Sequence, residues 1–236
     1  MRGDLRKFAT RAEAAEFAGA LISGALETAV ADKGRASLFV SGGSTPGPLF
    51  DLLSEADLPW TNVTLGLVDE RWVAPEDPAS NERLVRARLL KGRAGAAGFL
   101  PMRTIEESAD VAARGRNLAY APHCDPADIV LLGMGNDGHT ASWFPGSSGL
   151  LYALSPEQDE SVVAIDATGC PVAGENVHRL TLTGPAVARA RQAVMLLFGN
   201  DKLDVLERAL SSDPTDMPVR HAIDKLGPCL TVVWAP

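Results

Sequence analysis

A glycine-rich stretch, Gly133-Met134-Gly135-Asn136-Asp137-Gly138-His139-Thr140-Ala141-Ser142, follows the apolar run Ile129-Val130-Leu131-Leu132. An imidazole with a carboxylate two residues away is the minimal equipment for taking a proton from water, since histidine titrates near neutrality and the aspartate can orient the ring. The apolar run predicts a strand, and the glycines predict a tight turn beyond it. That turn places His139 in the first turn of a short helix, whose dipole favours the uncharged, basic ring. Asp137 can equally cap that helix and leave His139 a structural residue. The stretch also carries the Gly-x-Gly-x-x-Gly spacing of dinucleotide sites, and Asp166 beyond the next apolar run imitates the acid that would bind a ribose. Pro145 and Gly146 cut off any long helix after Gly138, so a pyrophosphate would lack its usual seat.

Three further segments carry chemistry. Ser41-Gly42-Gly43-Ser44-Thr45-Pro46 follows the run Ser37–Val40 and opens into the apolar residues Leu49 and Phe50. Glycines permit close backbone approach, and Ser44 or Thr45 can cap the helix that starts there. Its free N–H groups then attract an anion such as phosphate. An ordinary tight turn with a good cap has the same composition, and no Gly-Lys-Ser or Gly-Lys-Thr follows to make a nucleotide loop. Asp69-Glu70-Arg71-Trp72 follows the run Val63–Val68, with Asn81 and Arg83 shortly after. Charges at the end of a buried strand border a ligand crevice or form a solvated ion-pair cluster. In a crevice, Arg71 suits a phosphate or carboxylate and Asp69 suits sugar hydroxyls. Gly199-Asn200-Asp201-Lys202 puts a lysine at a helix start, where it opposes the dipole unless an anion offsets the cost; a solvated lysine reads the same. Arg179, at the start of another apolar run, is a candidate substrate contact or an exposed edge-strand residue.

Elements that bring these segments together are dictated by the alternation of short apolar runs with amphipathic stretches. The runs Ser37–Val40, Val63–Val68, Asp128–Leu132, Ser161–Ile165, Arg179–Leu182, Ala193–Phe198 and Leu230–Trp234 predict strands. Helices are expected from Thr10 to Gly34, from Ser80 or Asn81 to Gly92, from Thr104 through Val111 and Leu118, and from about Asp201 to Leu210. The pattern predicts an α/β fold: a largely parallel, doubly wound, modified Rossmann-like sheet with helices on both faces, in a single domain spanning residues 1–236. All four segments then converge at the carboxyl edge of one sheet, where such folds bind ligands. The stretch from Trp143 to Asp159, with Pro145, Gly146 and Pro156, is expected to run over the surface near that edge.

A net charge of −8 with no run of Lys and Arg excludes nucleic acid as a partner. The polar opening Met1 to Phe8, and no apolar stretch of membrane-spanning length, predict a cytoplasmic protein without a membrane partner. Cys124, Cys170 and Cys229 are an odd number at wide spacing, which fits neither a disulfide framework nor a zinc site. The oligomeric state is left open.

Taken together, Ser41-Gly42-Gly43-Ser44-Thr45-Pro46, Asp69-Glu70-Arg71, Gly133-x-Gly135-x-Asp137-Gly138-His139-Thr140-Ala141-Ser142 and Gly199-x-x-Lys202 resemble the 6-phosphogluconolactonase family across almost the whole chain. The same superfamily contains glucosamine-6-phosphate deaminases, which share these glycine-rich features but carry a Glu five residues after the histidine. Here that position is Phe144. The resemblance implies a metal-free, cofactor-free hydrolysis of a phosphorylated sugar lactone, with His139 as catalytic base supported by Asp137. It also implies that Ser44, Arg71 and Lys202 bind the phosphate end and that Arg179 contacts substrate; the residue types add Gly42, Gly43, Thr45 and Asp69 as substrate or phosphate contacts. The alternatives are a deaminase or sugar-phosphate isomerase, a catalytically silent sugar-phosphate sensor, and a nicotinamide oxidoreductase. Phe144, the intact Asp137-Gly138-His139 and the missing helix after Gly138 argue against them in turn.

Overall fold

The structure, a computed structural model, describes residues 3–236. In chain order it contains β1 (Asp4–Lys7), α1 (Arg11–Lys33), β2 (Ala36–Val40), α2 (Gly47–Glu55), β3 (Val63–Leu67), β4 (Asp69–Arg71), α3 (Asn81–Arg88), β5 (Gly98–Leu100) and α4 (Ala109–Cys124). The second half contains β6 (Ile129–Leu132), α5 (Leu150–Leu154), β7 (Val162–Asp166), β8 (His178–Leu182), α6 (Gly184–Ala188), β9 (Gln192–Phe198), α7 (Asn200–Ala209), α8 (Val219–Leu226) and β10 (Leu230–Ala235).

Seven strands form one parallel sheet in the order β1-β10-β9-β6-β2-β3-β5. Its inner strands, Ala-Ser-Leu-Phe-Val in β2 and Ile-Val-Leu-Leu in β6, are buried at every residue, as strands covered on both faces must be. The α/β reading of the sequence holds. From β2 the chain moves to one side, to β3 and β5, while β6 hands over to β9 on the other. The loops leaving β2 and β6 therefore part at a switch point, where a crevice opens beyond the carboxyl ends.

The expectation of one sheet does not hold. Ser161–Ile165 and Arg179–Leu182 belong to β7 and β8, which pair antiparallel with each other and with β4 in a separate three-stranded sheet. The chain crosses between the sheets at Val68, whose N–H bonds Val40 and whose carbonyl receives the N–H of Leu182. Asp69-Glu70-Arg71 is thus a strand, hidden in the sequence by its charge and its length of three. Arg71 stands directly opposite Arg179 in the register.

Helix α1 has the capping box expected from Thr10, with Glu13 returning a hydrogen bond to the Thr10 N–H, and it ends at Gly34 with φ +72°. It corrects one expectation, because its composition and length alone would allow a membrane span. In the fold Ile22, Leu26 and five small residues of α1 are buried, and the helix packs against β9 and β10. Ser80 caps α3 as expected, whereas α4 starts five residues later than Thr104, at Ala109, because Ser108 accepts from Val111 N–H. Ser44 and Thr45 do not cap α2, which begins at Gly47 behind Pro46 with no side-chain cap. The stretch after Trp143 is a surface segment only in part: Gly146, Gly149, Leu151, Tyr152 and Pro156 are exposed, whereas Trp143, Phe144, Leu150 and Ala153 are buried and Leu150–Leu154 forms α5.

Trp143 fixes that stretch by donating from Nε1 to the Leu182 carbonyl at 2.8 Å, and the ring of His221 meets it edge-on at 5.9 Å. Burial lowers the pKa of His221, Lys225 adds to the effect and Asp224 opposes it; burial and Arg35 lower His123 in the same direction. A base that resists protonation when folded makes the unfolded chain the better proton acceptor, so stability falls as pH drops through the ordinary histidine range. The melting temperature is therefore expected to fall between about pH 7.5 and about pH 5.5, and to fall less in His221→Gln. Parallel curves for the two proteins would remove His221 from that account.

Candidate active site

At the switch point lies a cavity of about 290 Å³ bordered by the segments after β2 and β6 and by the facing side of the small sheet. Gly42, Gly43, Ser44, Thr45, Asp69, Arg71, His139 and Arg179 all stand on its wall. Asp137 supports His139 from behind and Lys202 lies further back, and neither borders the space.

The loop after β6 is tied by its own backbone. Gly135 N–H donates to the His139 carbonyl at 2.8 Å, Gly138 N–H to the Gly135 carbonyl, and Thr140 Oγ1 to the Gly133 carbonyl. Val219 at the start of α8 donates to the Gly138 carbonyl. These turns replace the short helix expected after Gly138, so no helix dipole acts on His139. Asp137 takes over the orienting role: its Oδ1 lies 2.5 Å from His139 Nδ1 and accepts the His139 backbone N–H at 3.2 Å. A carboxylate accepts only, so Nδ1 carries the proton and Nε2 is left with its lone pair. Burial works to raise the Asp137 pKa, but the hydrogen bond and charge of His139 outweigh it, and the carboxyl sits below its ordinary value. It stays anionic at neutral pH.

Phe144 stacks beside this pair. Its ring centroid is 4.5 Å from that of His139, and the Arg179 guanidinium lies 5.3 Å from the same ring. The position after the histidine where a second carboxylate would stand is therefore filled by a buried apolar wedge. Arg179 is itself buried, donating from Nε to the Asn176 carbonyl and from Nη2 to the Ala173 carbonyl. This removes the alternative of an edge-strand residue open to solvent and leaves Arg179 on the cavity wall. Burial pulls its pKa down to about 10, opposed by the charge of Asp69, so it remains a cation under physiological conditions.

Asp69 Oδ2 accepts from Ser142 Oγ at 2.6 Å, which joins the small sheet to the histidine loop. Arg71 donates to the Ala79 carbonyl, and among the described residues its Nε has no partner. The Arg71 backbone is held by Glu70, a buried carboxylate whose role nothing in the sequence pattern announces. Glu70 accepts from the backbone N–H groups of Arg71, Asn81 and Glu82 and from Ser80 Oγ, at 2.7 to 3.0 Å, and so seals the loop from Arg71 to the start of α3. Burial raises its pKa against the pull of these donors. Lys202 donates to the Met134 carbonyl at 2.9 Å and to Asn136, bracing the histidine loop and leaving one N–H of its ammonium uncommitted.

Part of the wall carries no functional signal in the sequence. Val172 and Ala173 come from the turn between Gly169 and Gly174, both at positive φ, in a Gly- and Pro-rich segment that only advertises a loop. Ser41 contributes a buried hydroxyl with no protein partner.

Residues 9–234 match the family model described as glucosamine-6-phosphate isomerases/6-phosphogluconolactonase. The chain is 45% identical over 206 residues to a 6-phosphogluconolactonase of Xylella fastidiosa, covering 87% of this chain and 84% of that one. It is 40% identical to the 6-phosphogluconolactonase of Rhizobium meliloti over the whole of both chains. The crystal structure of a 6-phosphogluconolactonase from Shewanella baltica superimposes with a TM-score of 0.93 at 38% identity, covering 99% and 98% of the two chains.

Proposed function

The chain belongs to the family of glucosamine-6-phosphate isomerases and 6-phosphogluconolactonases, and from that premise we propose that it hydrolyses 6-phospho-D-glucono-1,5-lactone to 6-phospho-D-gluconate. The observation that carries the reading is the His139–Asp137 pair on the cavity wall, with Nδ1 occupied and Nε2 free. Nε2 takes a proton from water as the oxygen adds to the lactone carbonyl, and the imidazolium returns that proton to the departing ring oxygen. One residue serves as base and then as acid, and the carboxylate of Asp137 stabilises the intervening cation.

The phosphate is assigned to the Gly42-Gly43-Ser44-Thr45 turn, with Arg71 supplying positive charge on the wall and Lys202, held behind the wall at Met134, adding charge at longer range. Arg179 contacts the substrate, and Asp69 accepts from a sugar hydroxyl. Anchoring the phosphate holds the carbonyl beside the activated water, which converts binding into rate. Phe144 weighs against ring opening and ammonia release, because that chemistry needs a carboxylate where this chain has a buried ring. In the direct test, lactone loss at near-neutral pH is followed against the spontaneous rate, and ammonia release from glucosamine 6-phosphate is measured in parallel. Acceleration of the first without the second is expected. Ammonia release without lactone hydrolysis would assign the site to the deaminases.

A further inference from the structure

We propose that Asn81 binds a hydroxyl of the lactone through its side-chain carbonyl, a role that rests on reading the cavity as a lactone site. Asn81 borders the cavity yet is only 3% exposed, and it is fixed twice. Its backbone N–H donates to Glu70 Oε1 at 2.8 Å, and its side-chain Nδ2 donates to the Asp69 carbonyl at 2.8 Å. A carbonyl can only accept, so the amide nitrogen must face Asp69 and the amide oxygen must face away from it.

The oxygen faces Gly42. A methyl group added there would collide with Asn81 Oδ1 and Cγ, so the glycine is required by the approach of this side chain and not by its own backbone angle. Among the described residues Oδ1 accepts no hydrogen bond, and Asp69, which shares the cavity wall and whose carbonyl holds Asn81, has given only Oδ2 to Ser142. The two residues, hydrogen-bonded to each other and both on the cavity wall, form an acceptor corner. A phosphate is repelled by such a corner and is drawn instead to the N–H groups of the Gly42-Gly43-Ser44-Thr45 turn and to Arg71; a hydroxyl, which donates, satisfies it. A buried acceptor left without a donor is costly, so the corner discriminates against a substrate that lacks the matching hydroxyl.

The test compares kcat/KM of wild type and Asn81→Leu on 6-phosphoglucono-δ-lactone and on its 2-deoxy, 3-deoxy and 4-deoxy analogues. Wild type is expected to lose roughly 10- to 100-fold on one of the analogues, and Asn81→Leu to lose a similar factor on the parent lactone. In the variant the penalty on that analogue should disappear. If the variant is slowed equally on every substrate and keeps the wild-type discrimination, Asn81 only supports Asp69 and the proposal fails. It also fails if no analogue is penalised in wild type. Asn81→Ala, which removes atoms and adds none, carries the same comparison should the leucine not fit beside Gly42. A wild type inactive on the parent lactone would instead overturn the reading of the site itself.

Discussion

His139→Ala is expected to lower kcat for the lactone by about 10²–10⁴-fold with little change in KM, the range a positioned general acid–base contributes. The ring stands on the cavity wall and is aligned from behind by Asp137, so its loss removes the proton acceptor and leaves the phosphate anchors in place. Asp137→Asn separates orientation from charge. The asparagine oxygen can still accept from Nδ1, and only the anion beside the forming imidazolium disappears. A charged hydrogen bond exceeds a neutral one by about 1–2 kcal/mol, so about a tenfold loss is expected, against a larger one for Asp137→Ala, which also frees the ring. The measurement is initial lactone loss corrected for the spontaneous rate. His139→Ala retaining more than a tenth of wild-type kcat would remove the imidazole from the chemistry.

Much of this arrangement is legible in the sequence because strand ends in a parallel sheet are predictable. The runs that form β2, β6 and β9 are apolar at all but one position of β2 (Ser37) and of β9 (Gln192), and the loops after these strands must leave at the same edge. The small sheet is not legible. β4 consists of three charged residues, and nothing in Asp-Glu-Arg suggests a strand until Glu70 is seen to be satisfied by four donors, three of them from a loop ten residues further on. Arg179 is ambiguous in the sequence for the same reason: a charge on a short strand reads equally as an exposed edge residue or as a substrate contact until its carbonyl partners, Ala173 and Asn176, are known. Asn81 stands in the sequence without a role, because the feature that gives it one is the carbonyl of Asp69, twelve residues earlier. Polar residues buried by partners distant in the chain leave no periodic trace.

The glycines of the histidine loop separate by physical cause, and that separation yields the second large effect. Gly138 has φ +80°, and a Cβ there would lie 2.8 Å from the Cβ of Met217. Gly138→Ala is therefore expected to cost stability, about 1–2 kcal/mol from the left-handed backbone alone. Gly135 has no such angle. A Cβ at that position would instead strike the ring of His139, at Nδ1 and Cε1, and the Asp137 carboxylate. Those are the free ends of side chains, so the fold can absorb the methyl group by turning the imidazole away from its partner, with little cost in stability. Catalysis cannot absorb it, since displacing a reacting group by about 1 Å costs about 10²-fold. Gly135→Ala should accordingly melt within a few degrees of wild type and lose about 10²-fold in kcat, while Gly138→Ala melts lower and keeps more of its activity. Thermal unfolding and lactone kinetics on both variants decide the matter. A Gly135→Ala protein that is fully active would mean that the imidazole need not rest against Asp137 for the reaction to proceed.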